Sequence, residues 1–119
     1  MSTAANGYRH LTQHVSAQLA ELRQTTPGVM QAFGELGRAA MAEGTLDRKT
    51  KELIALALSV AAVRCDPCTG YHTQALVKLG ATRQELDETL GVATCMGGGP
   101  SLMYAASAIT AFDEFSAKG

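Results

Sequence analysis

Arg48-Lys-Thr-Lys-Glu52-Leu-Ile-Ala-Leu-Ala-Leu-Ser-Val-Ala-Ala-Val63 is the stretch whose reading decides the fold class. Its residue types favour a helix, and it lacks the strict apolar–polar alternation of a half-buried strand. Asp47 stands just before it and suits an N-cap, where its carboxylate accepts a bond from a free backbone N–H. Beyond Glu52 the helix is apolar nearly all round, a pattern that predicts burial on every side. A small domain seldom surrounds one helix completely, so the same pattern predicts a subunit interface. The apolar run from Leu53 to Val63 is interrupted by Ser59 and falls well short of the ~20 residues of a membrane-spanning helix.

Outward from this stretch the chain remains helical. On the N-terminal side, Leu11, Val15, Leu19 and Leu22 mark one face of a helix from about Arg9 to Gln24. Thr25-Thr26-Pro27-Gly28 breaks it, and Pro27 can open a second helix that carries Val29, Met30, Phe33, Leu36 and Met41 and ends at Gly44. On the C-terminal side, Pro67 opens a helix through Leu79 with Gly80 as its cap. Thr82-Arg-Gln-Glu85 reads as a capping box opening a fifth helix to about Met96. Gly97-Gly98-Gly99-Pro100 is a hard break before a last helix from about Ser101 to Phe115. The expectation is one all-α domain over 1–119, with about six helices, in an oligomer.

Composition removes several function classes. The chain has 119 residues, with 46% apolar and 18% charged, enough for a real core. Ten Lys plus Arg against eleven Asp plus Glu give no basic footprint for nucleic acid or an acidic membrane. Trp is absent and only three Phe and three Tyr are present, so stacking platforms for bases are scarce. The polar start, Met1 to His10, has no apolar signal region, and the expected location is the cytoplasm.

Chemistry concentrates at Cys65-Asp-Pro-Cys68 and His72. Spacings of three and four put these side chains on roughly one face at the start of the fourth helix. Unpaired N–H groups and the positive end of the helix dipole stabilise a thiolate there, and the thiolate is the nucleophile. That argument favours Cys65, the thiol nearer the N-terminus. His72, one turn beyond Cys68, offers that sulfur a proton acceptor. Two other readings stand beside the redox one: a pair of packed thiols, and a zinc site on Cys65, Cys68 and His72 that lacks a visible fourth ligand. His10 and His14, four apart, read as surface histidines, and Cys95 as a core thiol. Met96, Met103 and Tyr104 read as packing residues rather than a substrate entrance. Gly97-Gly98-Gly99 is no phosphate loop, because no Gly-Lys-Ser/Thr follows.

The runs Leu46 to Leu58, Arg64-Cys-Asp-Pro-Cys-Thr-Gly-Tyr-His72, Gly80-Ala-Thr-Arg-Gln-Glu85 and Met96-Gly-Gly-Gly-Pro-Ser101 together resemble the carboxymuconolactone decarboxylase superfamily, and within it the alkylhydroperoxidase AhpD-like branch. The resemblance covers roughly Leu46 to Phe115. It implies an all-helical trimer or hexamer that reduces small hydroperoxides, or exchanges disulfides, at the expense of an external dithiol. No flavin, haem or metal is implied. Carried over by position, Cys68 resembles the peroxide-attacking thiol, Cys65 its resolving partner, and Glu52 and His72 the proton relay. The chain departs from the pattern at Pro67, where the family often has His. It also departs in the Glu52–Cys65 spacing, one residue longer, which predicts a bulge or loop near Ala61 to Arg64.

Thirteen residues on one continuous helix would hold Glu52 and Cys65 about 20 Å apart. A relay therefore requires the third and fourth helices to fold back on each other, bringing His72 toward Glu52. A solvated or capping carboxylate is the alternative for Glu52. Two other functions compete with peroxide reduction: a cofactor-free decarboxylase acting on a small lactone, which has no evident use for vicinal thiols, and a non-enzymatic helical oligomer.

Overall fold

Six helices make up the secondary structure of the computed structural model, which describes residues 3–117: α1 (Thr3–Thr25), α2 (Pro27–Met41), α3 (Arg48–Ala61), α4 (Asp66–Lys78), α5 (Arg83–Gly97) and α6 (Gly99–Ser116). No strand occurs among the described residues. Helix starts follow local chemistry. Asp47 accepts from the Thr50 N–H at 2.8 Å and caps α3. Thr82 and Glu85 form the reciprocal capping box of α5, at 3.0 and 2.9 Å. Gly80 takes φ +79° just past the end of α4, a conformation suited to glycine.

Helices α3 to α6 pack around Leu56, Val60, Leu76, Leu86, Leu90, Ala93, Ala105, Ala108 and Phe112. Helix α1 lies against α4 and α6, and α2 touches only α1 and α3 among the described elements. The start of α1 is broken at Gly7, with φ 77° and ψ 171°. From there Tyr8 and Arg9 donate their backbone N–H groups to the two carboxylate oxygens of Glu114 on α6, at 2.8 and 2.9 Å. In return the Arg9 guanidinium donates to the Glu114 and Ala117 carbonyls at the end of α6, at 3.0 and 3.1 Å. It also sits 5.3 Å from the centre of the Phe115 ring. The φ of +77° at Gly7 favours glycine, and a Cβ there would meet Glu114 Oε2 at 2.6 Å, so the capping carboxylate would have to shift.

The structure corrects two expectations in this part of the fold, the end of α2 and the place of Cys95. Within the single chain, helix α3 buries Glu52, Leu56, Ser59 and Val60, while Ile54 and Leu58 face outward. Helix α2 buries no residue, and Val29, Phe33 and Leu36 stand exposed along one side of it. It stops at Met41, short of Gly44, because Lys51 Nζ donates to the Ala40 and Ala42 carbonyls at 2.9 and 2.6 Å and satisfies that end. Cys95 is exposed, since the inward face of α5 is taken by Leu86, Leu90 and Ala93. Met96 and Met103 are exposed as well, whereas Tyr104 packs against the core. Among the described residues, no helix is long and apolar enough to cross a membrane.

Candidate active site

The path from α3 to α4 sets the geometry of the site. Helix α3 ends at Ala61, two residues before the expected Val63. The Ala62 and Val63 N–H groups both close on the Leu58 carbonyl, and Cys65 N–H reaches back to the Ser59 carbonyl at 3.1 Å. Arg64 turns the chain with φ +50°, a left-handed conformation that a non-glycine residue seldom adopts. Its guanidinium donates to the Gly97 carbonyl at 3.3 Å, which ties the turn to the end of α5. This is the loop that the longer Glu52–Cys65 spacing demands. It reverses the chain, so that α4 runs back along α3.

Cys65 is the N-cap of α4, and its Sγ accepts from the Cys68 N–H at 3.2 Å. Asp66 and Pro67 are the first helical residues, and Pro67 costs no hydrogen bond at that position. The two Cα atoms lie 5.2 Å apart, and the sulfurs are joined as a disulfide. Both cysteines are half-buried, so the disulfide is neither sealed in the core nor fully open.

One turn along α4, His72 meets Glu52 directly. Its Nδ1 lies 2.7 Å from Glu52 Oε1, with no water needed between them. Glu52 is only 5% exposed, which removes the reading of a solvated or capping carboxylate. A carboxylate in this contact only accepts, so the imidazole donates from Nδ1 and keeps Nε2 for proton exchange. A buried carboxylate thereby fixes the ring's tautomer and orientation beside the second cysteine's turn of helix.

Two residues of this region carry little signal in the sequence. Tyr8, 1% exposed, reaches from α1 and donates its hydroxyl to Asp66 Oδ1 at a long 3.4 Å. Burial pushes its pKa up, and the nearby carboxylates of Asp66 and Glu114 add to this, with a hydrogen bond from Ser107 opposing. Gly70 admits this approach: a Cβ there would meet Thr12 Cγ2 at 2.9 Å and the Tyr8 ring at 3.2 Å. Tyr71 adds a second tie, donating to the Thr12 carbonyl at 2.9 Å. Asp66 lies inside the Cys65–Cys68 motif, whereas Tyr8 is fifty-eight positions away and only the fold brings it in.

His10 and His14 are exposed on α1, apart from this site. Among the described residues, no three His, Cys, Asp or Glu side chains gather as a metal site, so the ligand set considered for zinc is not assembled.

Comparison with known proteins gives the family and the fold. A family model described as the carboxymuconolactone decarboxylase family matches residues 27–111. An uncharacterised protein of Cupriavidus necator is 41% identical over 103 residues, covering 87% of this chain and 90% of the relative. A second relative, from Paracoccus denitrificans and named only as uncharacterised protein 4 of a cox locus, is 32% identical over 99 residues, covering 83% and 88%. The apo crystal structure of a carboxymuconolactone decarboxylase family protein from Legionella pneumophila superposes with a TM-score of 0.91 at 54% identity. That match covers 98% of this chain and 100% of the other.

Proposed function

The chain belongs to the carboxymuconolactone decarboxylase family, and from that premise we propose that it is an AhpD-like thiol peroxidase or disulfide oxidoreductase. The observation that carries the reading is a disulfide at a helix N-cap, one turn from a buried carboxylate–imidazole pair. A lactone decarboxylase has use for the pair but not for the two thiols.

In the reduced protein, Cys68 as thiolate attacks the terminal oxygen of a small hydroperoxide. The O–O bond breaks, the alcohol leaves with a proton, and Cys68 becomes a sulfenic acid. Cys65 then attacks the Cys68 sulfur, the S–O bond breaks, and water leaves as the Cys65–Cys68 disulfide forms. An external dithiol returns both sulfurs to thiols through a mixed disulfide. His72, with Nδ1 committed to Glu52, takes the thiol proton at Nε2 and delivers it to the departing oxygen. The helix N-cap favours the thiolate on Cys65 and the family resemblance puts peroxide attack on Cys68. The imidazole one helical turn on from Cys68 decides for the latter in this proposal.

We extend the proposal to a homo-oligomer. Val29, Phe33 and Leu36 recur at helical spacing along α2, and Phe33 is 70% exposed. Ile54 and Leu58 do the same on α3. Large apolar side chains left exposed at helical spacing support an interface reading.

The test is a thiol titration of the reduced protein before and after one equivalent of cumene hydroperoxide, with mass spectrometry to place any new bond. Loss of two thiols with a Cys65–Cys68 link, abolished by Cys68→Ser, is the expected result. Survival of all three thiols overturns the redox reading.

A further inference from the structure

The Cys65–Cys68 turn has a carboxylate inside it. Asp66 follows Cys65 directly, about 3.8 Å away along the Cα trace, and is the acidic residue in the first turn of α4. In a redox turn this is a conflict. The free N–H groups of the helix start, with Cys68 N–H already donating to Cys65 Sγ, stabilise a thiolate. A negative charge on the residue next to that cysteine opposes it.

Other charges near the turn are already engaged. The Arg64 guanidinium is turned onto the Gly97 carbonyl, Glu52 is paired with His72, and Glu114 caps the restart of α1. The Asp66 carboxylate has the Tyr8 hydroxyl as its side-chain partner among the described residues. Tyr8 has no freedom to follow a moving carboxylate. Its backbone is pinned by Glu114, its ring is buried, and that ring packs close on Gly70, where an added Cβ would lie 3.2 Å from it. A buried phenol also stays protonated, so it remains a donor across the ordinary pH range.

We propose that Tyr8 holds Asp66 beside the sulfurs, and that this carboxylate makes the Cys65–Cys68 couple more strongly reducing than its helix N-cap alone would make it. The inference rests on the redox reading above and specifies how the site is tuned. Reduction of the disulfide takes two electrons. It takes two protons when both sulfurs end as thiols, and one when a thiolate remains. The thiolate exists only on the reduced side, so a neighbouring negative charge raises that side alone and shifts the equilibrium toward the disulfide. Electrons then pass more readily from this protein to an oxidant. Asp66 and Tyr8 are positioning residues: neither touches the peroxide.

The experiment equilibrates the full chain with glutathione buffers of graded composition and counts free thiols by alkylation and mass spectrometry. Asp66→Asn is expected to favour the dithiol about three- to tenfold, a tenfold change being about 30 mV for two electrons. Tyr8→Phe moves the equilibrium the same way by a smaller factor, and adds nothing in the Asp66→Asn background. Asp66→Glu restores much of the wild-type value. An Asp66→Asn couple within a factor of two of wild type overturns the proposal. So does a Tyr8→Phe effect that persists undiminished without Asp66, because that effect would be packing alone. A wild-type disulfide that never equilibrates with glutathione is a different failure: it overturns the redox reading itself, and this inference with it.

Discussion

His72 Nδ1 and Glu52 Oε1 meet at 2.7 Å although they stand twenty positions apart on two helices. A ring nitrogen bound this way is set by the protein and not by solvent, and its opposite nitrogen becomes the reactive one. Positioned acid–base groups contribute about 10²–10⁴ in rate, so His72→Ala is expected to slow peroxide-driven disulfide formation by at least about a hundredfold. Glu52→Gln gives a smaller loss, since the amide can still contact Nδ1 but no longer holds the imidazolium by charge. Stopped-flow thiol loss against hydroperoxide concentration measures both, and equal, small effects from the two variants would count against a relay.

Gly7 and Glu114 set a second test. Glycine at residue 7 serves a positive φ and the close carboxylate together. Gly7→Ala is expected to destabilise the fold by about 1–3 kcal/mol, the range for a side chain forced into an unfavourable backbone region. Urea unfolding monitored by circular dichroism reads the change. Glu114→Ala should lose stability through the same start of α1, and the two variants combined should cost less than their sum.

The two leucines of α3 separate core from interface. Leu56 is fully buried and Leu58 is 55% exposed. Leu56→Ala is expected to cost about 2–5 kcal/mol, as for other buried leucines. Leu58→Asp should leave the folded monomer near wild-type stability but shift the mass seen by light scattering toward smaller species. A wild-type protein that is monomeric at all concentrations removes the interface proposal.

Acid should weaken two helix starts together. The Asp47 carboxyl is held below its ordinary value of 3.8 chiefly by the Thr50 backbone N–H. Glu85 is held below 4.5 by the Lys49 ammonium first and by the Thr82 backbone N–H next. A depressed carboxyl stabilises the fold above its unfolded value, and that stabilisation is lost as pH falls through the folded one. Melting temperature is therefore expected to be flat near neutrality and to fall below about pH 4.5. The Asp47→Asn, Glu85→Gln double variant should show a shallower acid slope, and an unchanged slope would place the acid sensitivity elsewhere.

What the sequence revealed and what it concealed divide along a physical line. Thr82, Glu85, Asp47 and Gly80 act within a few residues of themselves, so their roles are written locally and hold in the structure. The Glu52–His72 contact was accessible one step further on, because a loop at Ala61 to Arg64 forces α4 back along α3. Apolar content, by contrast, says that a helix is sticky and not which neighbour it meets. That is why the apolar run of α3 does not tell that Ile54 and Leu58 face outward from the single chain, or that α2 buries none of its residues there. Cys95 failed for a related reason: cysteine suits a core, but its face of α5 points away from one. Tyr8 had no local mark at all.

The clasp between Arg9 and Glu114 also bears on how the molecule is born. The helix restart at Tyr8 draws its capping oxygens from a residue 106 positions later. A nascent chain emerging from the ribosome therefore carries the restart of α1 unsealed until residue 114 has been translated. Vectorial folding can assemble α3 to α5 early, but the restart of α1 must wait for α6.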